Sequence, residues 1–237
     1  MKRSLTFKIL GTAAFFLIAG YTFAQDNYTI KMNMKMEGLP AEYAAYGEQD
    51  IVTYIKGDKS KTEMTSMMGS NILFFDGKKV TSLSDAMGNK MGFTATKEEL
   101  EAADKKEPTE KPKIEYVAEK KMIAGYECSK AIVTTIGKDK KENKSTVWYT
   151  DKIKSNNSAA SKARGRGSLD LSELKGYPLS MEMNMSQNGM DLKMMLTASE
   201  VATTPVDDAV FVVNTEGYTM MSYKEMMEKQ KSMGGGK

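Results

Sequence analysis

The 237-residue chain contains no histidine, and its single cysteine is Cys128. The first absence removes the commonest general base, metal ligand and triad member together. The second forbids an intrachain disulfide, even in an oxidising compartment. No Gly-rich phosphate loop, nucleophile elbow or metal-spaced cluster occurs, so enzyme chemistry has no residues to stand on and no cofactor is implied. Long apolar runs are also missing. Ile9 to Ala19 is the best stretch and is too short to span a bilayer. An excess of one charge is missing too. The chain has 34 Lys+Arg against 31 Asp+Glu, and Lys2, Arg3 and Lys8 account for the difference. Beyond them the charges balance, which demotes nucleic acid and anionic membrane as partners.

Those three cations precede the short apolar core, and Thr22-Phe23-Ala24 supplies a small-x-small site before Gln25. This pattern predicts a signal peptide over residues 1–24, cut after Ala24, and export to the periplasm. No cysteine lies near the cut, so a lipid anchor is not expected. The remainder reads as a soluble β domain over 25–221, followed by a short helix and Gly-rich tail over 222–237. A boundary at the charged, proline-punctuated stretch Glu107 to Pro112 would leave two small β units with open edges, which favours one domain.

Tyr28 to Glu37 alternates without error, with Tyr28, Ile30, Met32, Met34 and Met36 on one face. Period two over this length is a half-buried strand. Short strands punctuated by turns follow: Ile51 to Lys56, Lys59 to Met67, Asn71 to Phe75, Lys79 to Ser84 and Lys90 to Ala95. Thr96 and Glu99 form a capping box that opens a short helix. Further strands are read at Ile114 to Glu119, Tyr126 to Ile136 and Ser145 to Thr150, with a helical turn at Leu169 to Leu174. Tyr177 to Ser186 is a second faultless alternation, and Asn188-Gly189 turns it back through Asp191 to Ala202. Ser222 and Glu225 form another capping box. The expected fold class is α+β: one large antiparallel sheet of ten or eleven strands with two or three short helices.

Ile123-Ala-Gly-Tyr-Glu-Cys-Ser-Lys130 followed by Thr146-Val-Trp-Tyr-Thr150 resembles a signature of the secreted bacterial family called domain of unknown function 4412. Gly176-Tyr-Pro-Leu-Ser-Met-Glu-Met183 resembles a second block of that family. Val206-Asp-Asp-Ala-Val-Phe211 with Gly217-Tyr218 resembles a third, although the family's proline near Thr215 or Glu216 is absent. The resemblance covers essentially everything after the signal peptide. The family is similar to the LolA-like superfamily of periplasmic lipoprotein carriers. That implies a strongly curved, unclosed half-barrel, with helices over a concave apolar face where related members carry acyl chains.

The chain has 21 methionines. Three readings of the paired clusters stay open. They are irregular core filling, for which methionine is suited; a pliable cavity for an apolar ligand; or a soft-metal site, since thioethers select Cu(I). Metal sites of that kind usually recruit His or Cys, and neither is adjacent, so no metal is assigned. The cavity reading takes Met32, Met34, Met36, Met181, Met183, Met185, Met194 and Trp148 as lining residues. Its partner is a lipid acyl chain or another apolar molecule, with a lipoprotein or envelope protein as a further candidate. An envelope protein that binds no ligand is the alternative.

Three lesser candidates remain. Cys128 reads as a buried inert thiol. Arg164 and Arg166 could fork onto a phosphate headgroup but read as a solvated loop. Asp207 and Asp208 read as a turn start rather than an acid–base pair. Export is tested by intact mass: the periplasmic protein should begin at Gln25, and a mass that includes Met1 would overturn the cleavage.

Overall fold

Strict alternation buries one side of β1 (Asn27–Glu37). Tyr28, Ile30 and Met32 are buried, whereas Lys31, Asn33 and Lys35 are exposed. The structure is a computed structural model and describes residues 27–106, 111–136, 142–154, 169, 171–187 and 190–234. The signal peptide, most of the Glu107–Pro112 linker, Arg164, Arg166, the Asn188-Gly189 dipeptide and the glycines of the tail at 235–236 lie outside the described residues.

From β1 the chain steps outward through β2 (Glu48–Lys56), β3 (Lys59–Ser66), β4 (Gly69–Phe75), β5 (Lys79–Ala86) and β6 (Asn89–Thr96). Helix α1 (Lys97–Lys106) then leads toward the opposite edge. There β7 (Lys113–Ile123), β8 (Tyr126–Ile136), β9 (Glu142–Thr150), β10 (Tyr177–Gln187) and β11 (Met190–Ala202) step back until β11 pairs with the free side of β1. All of these neighbours are antiparallel.

The twelfth strand, β12 (Thr219–Ser222), runs parallel to β6 and leads into helix α2 (Tyr223–Gly234). The sequence predicts ten or eleven strands in a mostly antiparallel sheet, which the structure shows with one strand more. β12 escapes the sequence because four residues are too few to show a period. Both capping boxes form. The Glu99 amide donates to the Thr96 hydroxyl at 3.2 Å while the Thr96 amide donates to the Glu99 carboxylate at 2.8 Å. Ser222 and Glu225 exchange the same pair at 3.3 and 2.7 Å.

Chain length dictates curvature. Laid flat, ten strand spacings would hold β6 and β7 about 48 Å apart. The connection between them has a ten-residue helix, rising ~15 Å, and six further residues that reach at most ~20 Å. The sheet must bend to bring its edges within that chord. Leu100 of α1 is 1% exposed and packs with Leu73, Phe75, Val80 and Ala95. The chord therefore crosses the face that holds those side chains, which cross-strand pairing makes the same face as Ile30 and Met32. That face is concave.

Helices α1 and α2 land on the β4–β6 end of the concave face, where Tyr223 of α2 stacks on Phe93 at 5.9 Å. Elsewhere irregular chain takes over. Ile153 joins the central cluster of Tyr28, Ile30, Ile55 and Leu179, and Leu174 packs on Ala131, Val133 and Val147. Curvature is extreme at this end, where β7 and β11 approach each other although three strands lie between them in the sheet.

Segment 203–218 straps the convex face. Asp208 pairs with Lys56 at 3.0 Å, the Val210 carbonyl accepts from the nearly buried Lys61 at 2.9 Å, and Phe211 stacks on Phe74 at 6.3 Å. Among the described residues no helix is long and apolar enough to cross a membrane.

Two substitutions test the chord. Leu100→Ala should cost about 2–5 kcal/mol in urea denaturation, the range for truncating a buried leucine. Thr96→Ala should cost about 1 kcal/mol through the lost cap. A Leu100→Ala cost no larger than that of Thr96→Ala would mean that α1 is not held on the sheet.

Candidate functional site

Register converts the two methionine alternations into one surface. Met34 lies opposite Leu196, which lies opposite Met181, which lies opposite Val147. One step along, Met36, Met194, Met183 and Ser145 form a second row across β1, β11, β10 and β9. Met32 opposite Ala198 and Met185 opposite Leu192 extend the patch in the two directions along the strands. Side chains in a row are ~5 Å apart and successive rows are ~7 Å apart, so neighbours touch.

The patch is neither sealed nor open. Met32 is 6% exposed, whereas Met34, Met36, Met181, Met183, Met185 and Met194 are all half-buried. Gly47, at the end of a 3-10 turn over Ala41–Gly47, sits against the Met36 Cβ and borders the second row on the β1 side. Ser145 ends that row on the β9 side. It is 2% exposed, and its hydroxyl has no hydrogen-bond partner among the described residues.

A depression of about 480 Å³ opens at the same rim, lined by Glu37, Asn143, Asn184, Met185, Leu192 and Lys193 among others. Met185 and Leu192 belong both to it and to the patch. Glu37, Lys193 and Asn184 form one cross-strand row on the other face, so the depression lies at the strand ends, where the two faces meet.

Seven of the eight residues singled out from the sequence come together in this patch; Trp148 does not. It follows Val147 directly, so it stands outside the rows, which reach β9 at Val147 and Ser145. It packs in the central cluster that also holds Met32, Leu179 and Cys128, under the ammonium of Lys121 at 4.4 Å and that of Lys130 at 5.7 Å. A bulge at Leu179 in β10 accompanies this split: Leu179 packs with the Trp148 cluster, while Met181 packs with Val147.

The sequence places Leu192, Met194, Leu196 and Ala198 on one face, but the lining set drawn from it omits Leu192, Leu196 and Ser145. Leu196 and Leu192 share the alternation of Met194 in β11, a signal sufficient to add them. Ser145 carries none, because only register brings it to the end of a methionine row.

The remaining candidates have structural roles. The Asp207 carboxylate accepts from the Ala209 amide at 2.9 Å and caps the 3-10 turn Asp208–Phe211. Lys56 holds the Asp208 carboxyl below its ordinary pKa through a hydrogen bond and charge. Burial pushes the Cys128 thiol above its ordinary value, with Lys121 opposing weakly. Among the described residues no cluster of three His, Cys, Asp or Glu side chains could hold a metal.

No family model matches the sequence, and no curated protein does. Among solved structures the chain is similar to PNGF-II, at 17% identity and a TM-score of 0.46, covering 87% of this chain and 34% of that one. It spans about a third of the length of PNGF-II. It is also similar to the Mycobacterium tuberculosis lipoprotein LppX, at 12% identity and 0.36, over 76% and 88% of the two chains. MucB follows, at 11% and 0.39, over 81% and 59%. With scores of 0.46 or less, these overlaps leave the function to the chain's own geometry.

The thiol provides a test. Its raised pKa means that the folded state holds the proton more tightly than the unfolded state does. Its contribution to stability is therefore complete below the ordinary thiol pKa and fades as pH climbs through it. Cys128 should resist iodoacetamide at pH 8 in native protein and react fully in urea; rapid native labelling would contradict the burial.

Proposed function

We propose that the protein is a non-enzymatic periplasmic carrier that holds an acyl chain or comparably apolar ligand against the methionine rows of its concave face. The observation that carries this reading is the half-burial of six neighbouring methionines on the hollow side of a curved sheet. A sealed core would bury them, and an ordinary convex surface would not place them side by side. Methionine suits a surface that must fit tails of differing shape, because its unbranched side chain repacks at little cost.

The depression at the strand ends, where Met185 and Leu192 meet polar side chains, fits an amphipathic ligand. Leaving the Ser145 hydroxyl unpartnered costs on the order of 1–3 kcal/mol, which an ester carbonyl or bridging water would recover. An unclosed sheet with helices over its hollow face is also the layout that the LolA-like resemblance of the motifs implies. Export by the signal peptide would place the carrier in the periplasm, where a lipoprotein or another envelope protein could deliver or receive the cargo.

Organic extracts of the purified protein should contain a stoichiometric lipid by mass spectrometry. Met183→Lys should lower tail affinity at least ~tenfold, since one apolar side chain contributes ~1.5–3 kcal/mol. Its melting temperature should fall little, because a lysine in a wet hollow can extend its ammonium to water. Glu182→Lys, on the other face of β10, should retain lipid. Severe unfolding of Met183→Lys combined with lipid-free wild-type protein would identify the rows as plain core and sink the carrier reading.

A further inference from the structure

The second methionine row has a property that strand alternation alone did not reveal. Met194 stands directly between Met36 and Met183, opposite both in register. Three thioethers on three adjacent strands thus face the same hollow. Directly opposed Cβ atoms are ~4.5–5.5 Å apart, so the two outer side chains have only about one strand spacing each to lean inward over the middle one. Concave curvature tips them toward each other. All three are half-buried, which leaves an approach from the hollow side.

We propose that Met36, Met194 and Met183 form a three-thioether site for a soft monovalent cation, Cu(I) or Ag(I). Ligand type sets the selectivity. Thioether sulfur is soft and neutral and prefers Cu(I), whereas Zn(II) and Ca(II) favour imidazole, thiolate or carboxylate donors. The row offers none of those. Glu182, Asn184 and Lys193 alternate onto the other face of β10 and β11, and the row ends at Ser145 and beside Gly47. A single positive charge among neutral sulfurs also costs less to dehydrate than a divalent ion would. The site rests on the register alone and does not require the carrier reading.

Purified protein should be titrated with Ag(I), and anaerobically with Cu(I), against a competing chelator, with Zn(II) as a control. One ion should bind per chain, and three methionine methyl resonances should shift in NMR spectra of methyl-labelled protein. Met194→Leu and Met183→Leu should each weaken binding at least tenfold. Leucine keeps the apolar volume and deletes the sulfur, so a loss of binding reports on the thioethers rather than on packing. Met67→Leu, at an exposed turn, should bind as wild type does. Absence of saturable Ag(I) binding would overturn the site. So would Met194→Leu and Met183→Leu variants that bind undiminished, or an equal loss in Met67→Leu.

Discussion

A connection shorter than the sheet is wide governs this molecule. Because α1 and the linker after it must join β6 to β7, the sheet cannot lie flat, and its two faces become unequal. The hollow face receives the helices, the apolar clusters and the methionine rows. The outer face is bound by the 203–218 strap through Lys56, Lys61 and Phe74. Natural sheet twist would bend twelve strands somewhat. The chord decides which way and how far.

Curvature also explains where methionine is used. On the β4–β6 end, where α1 and α2 seal the hollow, the buried residues are Leu73, Phe75, Val80 and Ala95, each with a well-defined shape. On the β1–β11–β10 stretch no described helix covers the sheet, and methionine replaces them. Rigid, branched side chains suit a wall that has a permanent partner. Flexible ones suit a wall whose covering changes or is absent. The Thr53–Thr62 hydroxyl pair, bonded at 3.1 Å, lies between the two regimes and keeps the middle of the hollow polar but satisfied.

Much of this was legible before any coordinates. The alternations of Tyr28–Met36 and Tyr177–Met185, both capping boxes and the turn role of Asp207 follow from local chemistry, and the structure contains each of them. What was not legible depends on register and on long-range closure. Trp148 shares a buried cluster with Met32, but only the alignment of β9 with β10 shows that the methionine rows continue at Val147. Ser145 has no local mark of its place. β12 is held by an edge it meets more than a hundred residues after β6 is made, and its four residues carry no period. Half-burial of the methionines was equally hidden, because alternation states which side a residue faces and not what lies above it.

The pairing of β1 with β11 has a consequence in time. Lys31 meets Glu200 across a sequence separation of 169 residues, in the middle of the sheet rather than at its margin. Contacts that distant form late, since a long loop must close before they contribute anything. Until β11 arrives, the first strand made has one unpaired edge, and the growing sheet has no continuous hollow. A chain in that state stays open and threadable through most of its synthesis. Its unpaired strand edges favour aggregation in the meantime. The central strand, first in order among the described strands, is among the last to become fully paired.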